Sequence, residues 1–453
     1  MSYVIRKNIS RCQEVVARDK QVIAACQHLS YYPFVVASGK NAVLKDIDGN
    51  EYIDFLASAS SLNLGSSHPA VTEAIRKQLD NCTQYAMAYT YNDPAVTYAE
   101  KLVSVYPGGV KAKVCYGNCG SDANDAAIKF ARAYTGRSKI ITFINAYHGN
   151  TYGSCSLTAV TTRMRSKVGP FLPEVYHFPF YGTDVSDEVC EAECIKDMES
   201  AFERWLPPEE VAAVIIEPVQ GDAGILPAHP IFMKKLYELC RRHGVLFFAE
   251  EVQQAFFRSG HWFSIENYPD IIPDGIIMGK SIGGGLTLGA FMAREDIIDS
   301  LPAPAHLFTL SGNAIACTAG SAAFDVYQSK EFQTHLKTVS AKMKERLDQL
   351  QARYPKTIGA YRGYTMSYGI PIITTAASGE TASDADGAFK IVFRAYEKGL
   401  IVITLNGNIL RIQPPLTIEP ETLDKAFDIL EEAVQEYQEG QIPDDVFQYR
   451  QGW

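Results

Sequence analysis

The chain has 453 residues, of which 47% are hydrophobic and 21% are charged. This composition is ordinary for a folded globular protein, and it excludes a disordered or low-complexity chain. The net charge of −10 arises because acids outnumber scattered basic residues, which argues against a nucleic-acid partner.

The segment 1–20 alternates charged residues with short apolar pieces and has no apolar core of the signal-peptide kind. No stretch of the sequence approaches the roughly 20 apolar residues of a membrane span. The ten cysteines lack the dense spacing of a disulfide framework, which predicts that they are reduced thiols. We expect a cytoplasmic protein without a membrane partner. We also expect no metal site, because no second ligand pair lies near the C-x-x-x-C pairs Cys115/Cys119 and Cys190/Cys194.

The segment 42–54 alternates apolar and polar residues about an Asp-Gly-Asn turn, which predicts an antiparallel hairpin. The middle of the chain then repeats an apolar run, a polar or Gly-rich break and a helical period. Such runs, interleaved with helices such as Met233–His243, indicate a mostly parallel sheet buried on both faces. Its strands are predicted at Lys139–Ile144, Val211–Ile216, Val245–Ala249, Gly275–Met278 and Leu288–Ala293.

The C-terminal part has a long amphipathic pattern over Leu336–Tyr354, then short strands and a final helical pattern near Leu423–Tyr437. We predict an α/β protein with a large domain over residues 64–327. A smaller α+β domain, residues 328–453, is expected to share its core with the N-terminal segment, residues 1–63.

A small-residue loop, Gly117–Asp125, precedes apolar residues at helical spacing. A strand, a glycine loop and a helix start together indicate an anion site, because free amides and the positive end of the helix dipole face one point. A plain turn is the alternative, because the loop has neither the Lys-Ser/Thr ending of a Walker phosphate-binding loop nor the G-x-G-x-x-G spacing of a dinucleotide-binding loop.

Two further strand ends carry charged residues. Glu250 and Glu251 follow a predicted strand, and a carboxylate there points into the crevice where α/β sheets bind ligands. For Glu251 we favour a helix cap or a surface acid. Lys280 follows the strand Gly275–Met278 and is either a solvated loop residue or an amine held in a cleft, where a lowered pKa permits Schiff-base chemistry.

Together these features resemble the class III, or ω-aminotransferase-like, family of pyridoxal phosphate enzymes of fold type I. The resemblance covers nearly the whole chain and rests on ordered motifs: Asp48–Asp54, Gly117–Ser121, Tyr147–Gly149, Ile216–Gly221, Glu250–Gln253, Lys280, Phe308–Asn313 and Leu410–Leu416. Within the family the sequence is most similar to the bacterial isoleucine 2-epimerase and amino-acid racemase subgroup, on the segments Leu56–Ser60, Gly120–Asp125, Gln220–Asp222, Pro302–Thr309 and Ile403–Arg411.

The resemblance implies a large domain with a mostly parallel seven-stranded sheet flanked by helices, and a smaller α+β domain from both termini. It also implies pyridoxal 5'-phosphate as the cofactor, an amino-acid substrate, and a homodimer or dimer of dimers. The function that we expect is inversion at Cα of a neutral, apolar or branched-chain amino acid, through a carbanion delocalised into the cofactor ring. A class III aminotransferase is the main alternative, and a non-catalytic cofactor-binding module is the third.

The resemblance gives cofactor contacts to five residues. Lys280 would hold the cofactor and move the Cα proton of the substrate. Glu250 would face the pyridine nitrogen, and Gln253 would hydrogen-bond the phenolic oxygen. Gly120 and Ser121 would bind the phosphate at the helix start.

Three more residues are assigned by the same resemblance. Tyr147 would stack on the ring, although core packing is the alternative. Thr309 would reach the phosphate of a neighbouring subunit. Arg411 would bind the substrate carboxylate, with a surface ion pair as the alternative.

The sequence departs from the family pattern at two positions. Glu250 stands where the family usually has an aspartate, so the geometry of the contact to the ring nitrogen is open. Asp222 stands where most class III transaminases have a glutamate, and the racemase subgroup has aspartate there too. We predict Asp222 as the second acid of racemisation, with a turn-stabilising aspartate as the alternative.

Overall fold

The computed structural model describes residues 4–450. Two compact units divide the chain. One combines the chain up to His68 with the chain from Ser329 onward, and the other is Pro69–Gln328. Every helix within residues 4–450 is too short or too polar to cross a lipid bilayer.

The unit Pro69–Gln328 is built on a seven-stranded sheet. Gly289–Arg294 pairs antiparallel with both of its neighbours, and the other neighbouring strands pair in parallel. The mostly parallel sheet predicted from the apolar runs is therefore confirmed. In order across the sheet the strands are Ala112–Gly117, Gly289–Arg294, Gly275–Met278, Leu246–Glu250, Val211–Ile216, Lys139–Phe143 and Val175–Phe178.

The predicted strands occur close to their expected bounds. Val211–Ile216 and Gly275–Met278 match, and both are buried along their whole length, as continuous apolar runs require. The strand predicted at Val245–Ala249 lies one residue later, at Leu246–Glu250. Glu250 is therefore the last residue of its strand.

Helices flank this sheet. Gly120–Thr135 buries a face of alanines, together with Phe130, in the same apolar core as Ile277 and Phe291, and it ends at Gly136, whose φ of +68° permits a left-handed cap. The predicted helix Met233–His243 begins three residues earlier, at Pro230. The other α-helices of this unit are Pro69–Asn81, Asp93–Ser104, Tyr152–Leu157, Asp187–Glu193, Lys196–Arg204, Glu295–Ile298 and Ala314–Gln328.

The other unit contains two four-stranded sheets. The first confirms the predicted hairpin as the strands Val43–Asp46 and Glu51–Asp54. Its order is Val36–Lys40, Val43–Asp46, Glu51–Asp54 and Leu400–Ile401; the second sheet has the order Arg362–Tyr364, Ser367–Pro371, Ile409–Ile412 and Ile403–Leu405. A two-stranded sheet pairs Ile373–Thr375 with Thr381–Ser383, and the helices are Ser10–Val22, Lys330–Arg353, Ala385–Lys398 and Pro420–Gln438.

The N-terminal segment shares a core with the C-terminal part within this unit. Ile53 pairs with Leu400 in parallel register, and the ring of Tyr52 stacks on Tyr396 with centroids 5.4 Å apart. The two predicted C-terminal helices are both present, as Lys330–Arg353 and Pro420–Gln438.

Ala57–Ser60 forms a left-handed turn in this unit. Its four consecutive φ angles are +46°, +48°, +57° and +65°, although none of the four residues is glycine. This conformation costs roughly 1–2 kcal/mol per L-residue, so surrounding contacts must hold it. At its start, Asp54 Oδ1 accepts hydrogen bonds of 2.8 Å and 2.9 Å from the backbone nitrogens of Leu56 and Ala57.

Candidate active site

The candidate residues of the large unit follow strands that end at one edge of the sheet. The parallel strands have their carboxyl ends together, which is where α/β sheets bind ligands. Gly120 and Ser121 follow Ala112–Gly117, and Tyr147 follows Lys139–Phe143; Asp222 lies beyond Val211–Ile216, Glu250 and Gln253 lie at and after the end of Leu246–Glu250, and Lys280 follows Gly275–Met278.

Glycines let these strand-end loops approach one another. A Cβ built on Gly279 would lie 2.9 Å from the Cα of Gly120, and a Cβ on Gly120 would lie 2.8 Å from Val252 Cγ1. A Cβ on Gly221 would lie 2.4 Å from the side-chain nitrogen of Gln253. Because such distances are impossible for a real Cβ, the loops that carry Gly120, Gln253 and Lys280 pack as closely as they do only without side chains there.

The glycine loop leads into the 16-residue helix Gly120–Thr135. Ser121 lies in its first turn, and Ser121 Oγ accepts a hydrogen bond of 3.2 Å from the backbone nitrogen of Asn150. Asp122 Oδ2 accepts from the backbone nitrogen of Asn118 at 2.9 Å, which closes the loop. The predicted strand, loop and helix start are thus present in the order that an anion site requires.

Glu250 is buried at the sheet edge. Glu250 Oε2 accepts a hydrogen bond of 3.3 Å from the backbone nitrogen of Val252, and Glu250 Oε1 lies 3.5 Å from Asn124 Nδ2 and 3.9 Å from His148 Nδ1. Within residues 4–450, no lysine or arginine forms an ion pair with Glu250, and His148 Nδ1 is buried without a hydrogen-bond partner. A buried carboxylate in such surroundings favours a cationic group beside it.

Glu217 is a site residue to which the sequence analysis gave no function. Its two carboxylate oxygens accept backbone hydrogen bonds, one from Tyr147 at 2.7 Å and one from Gly221 at 2.8 Å. Burial raises the pKa of Glu217 well above its usual range, and the nearby carboxylates of Glu250 and Asp222 raise it further. Its position directly after the strand Val211–Ile216 is the same signal that identified Glu250.

The carboxylate of Asp222 lies close enough to Tyr147 to affect the pKa of its hydroxyl. The Tyr147 hydroxyl accepts a hydrogen bond of 3.2 Å from Asn150 Nδ2. Burial, followed by the carboxylates of Asp222 and Glu250, raises the pKa of Tyr147 to about 12. Asp222 itself is buried, in a turn in which the backbone nitrogen of Ile225 donates to the carbonyl of Gly221.

Glu251 points away from this group. Glu251 Oε2 accepts from the backbone nitrogen and the hydroxyl of Ser264, and Glu251 Oε1 accepts from the backbone nitrogen of Ile265. The expected role as a helix N-cap is wrong, because no helix follows Glu251 directly and Phe263 is the N-cap residue of the 3-10 turn Ser264–Asn267, which these donors begin. The alternative of a surface acid is also wrong, because Glu251 is fully buried. Burial raises the pKa of Glu251 to about 8.

Lys280 begins the 3-10 turn Lys280–Gly283, directly beyond the buried strand Gly275–Met278. Its φ is +49°, an uncommon conformation for a residue with a side chain. It is only partly exposed, whereas Ser281 and Ile282 beside it are buried. This partial burial favours an amine held in a cleft over a solvated loop residue.

Two candidate residues do not belong to these strand-end loops. Thr309 is exposed in the loop before the helix Ala314–Gln328. Arg411 belongs to the other unit, on the strand Ile409–Ile412, and is 2% exposed. The alternative of a surface ion pair for Arg411 is wrong, because Arg411 is buried; its Nε donates to the buried Oε1 of Gln413.

The strand-end residues fit pyridoxal phosphate. The start of the helix Gly120–Thr135 suits the phosphate, and Lys280 supplies an amine for covalent attachment. The buried carboxylate of Glu250, which has no lysine or arginine in an ion pair within the described chain, suits a protonated pyridine nitrogen.

A family model described as aminotransferase class-III matches residues 24–434. The chain belongs to the class III aminotransferase family, and its fold is that of the fold type I pyridoxal phosphate enzymes. The family and the fold predicted from the motifs are thereby confirmed.

Among its relatives are amino-acid racemases. Isoleucine 2-epimerase of Lentilactobacillus buchneri is 38% identical over 440 residues, which cover 96% of this chain and 97% of the relative. Leucine/methionine racemase of Thermococcus litoralis is 36% identical over 450 residues, which cover 98% of this chain and 100% of the relative. These relatives confirm the predicted resemblance to the racemase subgroup.

A solved aminotransferase of Vibrio fluvialis, in a PMP-bound form, has a TM-score of 0.82 and 25% identity to this chain, and the match covers 90% of this chain and 94% of the other. The protein is an enzyme that depends on pyridoxal 5'-phosphate and acts on an amino acid.

Proposed function

We propose that the protein is a pyridoxal phosphate-dependent racemase or epimerase that inverts Cα of neutral amino acids with apolar or branched side chains. The observation that carries the proposal is the presence of two side chains able to exchange a proton, Lys280 and the buried Asp222, on separate loops at one edge of the sheet. Inversion needs two such groups, since a proton must leave one face of the substrate and another must arrive on the opposite face. The racemase relatives, matched over nearly their whole length, support the same function.

Each site residue has a defined task in this function. When bound, the cofactor supplies an electron sink that lowers the energy of a substrate carbanion at Cα. Lys280 would hold the cofactor through its amine and, with that amine free, would take the Cα proton on its nitrogen. Asp222 holds the proton that is delivered to the opposite face.

The remaining side chains bind and orient. Gly120 and Ser121 receive the phosphate at the helix start, and Tyr147 covers a ring face. Glu250 keeps the pyridine nitrogen protonated through its negative charge, and Gln253 donates to the phenolic oxygen.

Arg411 binds the substrate carboxylate, for which the planar guanidinium is suited. Thr309 completes the phosphate site of a second copy of the chain, and its exposure supports that assignment. The active form is thus a homodimer or a dimer of dimers, and we place it in the cytoplasm, where its free cysteines stay reduced. Sedimentation at decreasing protein concentration tests the assembly, because loss of the dimer should accompany loss of bound cofactor.

The experiment that tests the function uses one enantiomer of leucine and no keto acid. A racemase converts L-leucine to D-leucine over many turnovers under these conditions. An aminotransferase stops after one half-turnover, because it has no acceptor for the amino group. Amine transfer that requires a keto acid, without inversion of any neutral amino acid, would replace the proposal with an aminotransferase.

A further inference from the structure

Gln413 connects Arg411 to other buried side chains of the same unit. Gln413 is fully buried, and its Oε1 accepts hydrogen bonds from Arg411 Nε and, at 3.0 Å, from Ser60 Oγ. At the other end of the amide, Gln413 Nε2 donates to Ser367 Oγ at 2.6 Å. Both ends of the amide are therefore occupied, so it cannot turn over without breaking these bonds.

The bond to Arg411 Nε restricts the guanidinium. A guanidinium is planar, and its terminal nitrogens can grip a carboxylate with two parallel bonds only when that plane is correctly oriented. The strand Ile409–Ile412 fixes the backbone of Arg411 through pairing with Ser367–Pro371, but the long side chain retains several rotatable bonds. An acceptor on Nε fixes the plane of the group at its inner end.

Gln413 also contacts the segment around the left-handed turn Ala57–Ser60. Ser60 is the last residue of that turn, and the backbone nitrogen of Gln413 donates to the carbonyl of Phe55, just before the turn, at 2.8 Å. The same residue thus holds both sides of a strained turn and the guanidinium of Arg411. A neutral amide suits this position, because it accepts from Arg411 without cancelling the positive charge.

We propose that Gln413 is a positioning residue for recognition of the substrate carboxylate, which acts by fixing the guanidinium plane of Arg411, and that Ser60 supports it. This inference rests on the proposed assignment of Arg411 as the carboxylate-binding residue. It predicts that Gln413 affects ligands with a carboxylate and has little effect on amines that lack one.

The experiment compares L-leucine with 3-methylbutan-1-amine, which has the same carbon skeleton without the carboxylate. Binding of each to the holoenzyme is followed by spectral titration of the cofactor, and KM and kcat are measured for leucine. Gln413→Met removes the acceptor, whereas Gln413→Glu keeps it and neutralises Arg411. We expect each variant to weaken leucine binding and to raise the KM for leucine about tenfold or more. The cause is a lost charge-assisted hydrogen bond in Gln413→Met and a cancelled charge in Gln413→Glu. Binding of the amine should stay within about twofold of that of the wild type.

Ser60→Ala is expected to weaken leucine binding by only a few-fold, since Arg411 keeps its acceptor. Thr357→Val is the matched control, because Thr357 Oγ1 is a buried partner of Gln438 in the same unit. This control should lower the melting temperature and leave the selectivity between leucine and the amine unchanged.

Two results would overturn the inference. One is an equal loss of affinity for leucine and for the amine in the Gln413 variants, which is the sign of a purely structural residue. The other is unchanged leucine binding in Gln413→Met, or in Gln413→Ala if Gln413→Met does not fold, because both variants lack the acceptor for Arg411 Nε. Arg411→Met separates this inference from the assignment of Arg411 as the carboxylate-binding residue. If Arg411→Met binds leucine normally, that assignment is wrong. If Arg411→Met loses affinity for leucine but not for the amine, and neither Gln413 variant does so, only the inference about Gln413 is wrong.

Discussion

The carboxylate of Glu217 accepts a hydrogen bond of 2.7 Å from the backbone nitrogen of Tyr147. Its second oxygen accepts one of 2.8 Å from Gly221, the residue before Asp222. A single buried carboxylate therefore joins the loop of the proposed ring-stacking tyrosine to the turn of the proposed second acid. The loops after two neighbouring strands are fixed to each other at the point where the chemistry is expected.

Glu217→Gln should disturb both loops. A glutamine has one acceptor oxygen, so its NH₂ group would face a backbone N–H that has lost its partner. We expect a loss of about 1–3 kcal/mol in the free energy of unfolding, measured with urea, together with a fall in kcat for leucine racemisation. Glu266→Gln is the control, because Glu266 also accepts a backbone hydrogen bond, from Phe263 beside its own turn. If both variants lose stability and neither loses kcat, Glu217 only holds the fold together.

The residues that follow apolar strands are the part of the site that could be predicted from the sequence. Glu250 and Lys280 were found because a charged residue directly after an apolar strand stands out in the sequence. Glu217 also follows an apolar strand directly, but a proline comes next in its motif. That motif does not show whether the carboxylate binds backbone amides or a substrate. That distinction depends on the amides of Tyr147 and Gly221, which only folding brings within reach.

Two other features depend on contacts that are distant in the sequence. The left-handed turn Ala57–Ser60 contains no glycine or asparagine, so local propensity does not predict it. Ser60 is 353 positions from Gln413, and no local pattern joins them. The strands and helices, by contrast, follow from apolar periodicity, which is a local property.

Lys280→Ala should abolish turnover, with a loss of about four orders of magnitude or more, because in the proposed mechanism this side chain both holds the cofactor and moves the proton. The wild-type protein should be yellow, and borohydride should fix the cofactor onto Lys280, as peptide mass analysis will detect. Lys196→Ala, at an exposed surface position, is the control and should retain both properties. Substantial activity in Lys280→Ala would contradict the proposed mechanism.

Glu250→Asp should be tolerated and Glu250→Gln should not. Aspartate restores the residue that the family usually has and keeps a negative charge opposite the ring nitrogen, so we expect kcat within about tenfold of wild type. Glutamine offers only a neutral hydrogen bond, and kcat should fall about a hundredfold or more. Comparable rates for glutamine and glutamate at this position would show that the ring nitrogen does not need an anionic partner.

The raised pKa of Glu251 gives a pH dependence of stability. In the folded protein this carboxyl keeps its proton up to about pH 8, whereas in the unfolded chain it ionises near its ordinary pKa of 4.5. Between these values the unfolded state binds fewer protons, so the contribution of Glu251 to the free energy of unfolding falls as the pH rises, by at most about 1.4 kcal/mol per pH unit. Glu251→Gln cannot ionise and should flatten this part of the profile.

Urea unfolding of the wild type and of Glu251→Gln, at pH 5, 6.5 and 8 and at one protein concentration, measures that difference. The stability of the wild type relative to the variant should decrease across the series. A constant difference would mean that the three hydrogen bonds from Ser264 and Ile265 keep Glu251 ionised in the folded state.

In the proposed mechanism Asp222 determines how inversion occurs. A single lysine acts on one face of the substrate, so the proposal requires a second acid to supply the proton on the other face. Asp222→Asn keeps the size of the side chain and removes its acid, and we expect inversion of leucine to slow by about a hundredfold or more. Removal and return of the Cα proton by Lys280 alone should continue.

In deuterated solvent the variant should therefore label L-leucine at Cα with retained configuration, whereas the wild type should give labelled D-leucine. Chiral chromatography with mass spectrometry measures both products. Equal inversion rates in the two proteins would eliminate Asp222 as the second acid and leave it as a residue that stabilises its turn, since an asparagine can keep such a turn without carrying a proton.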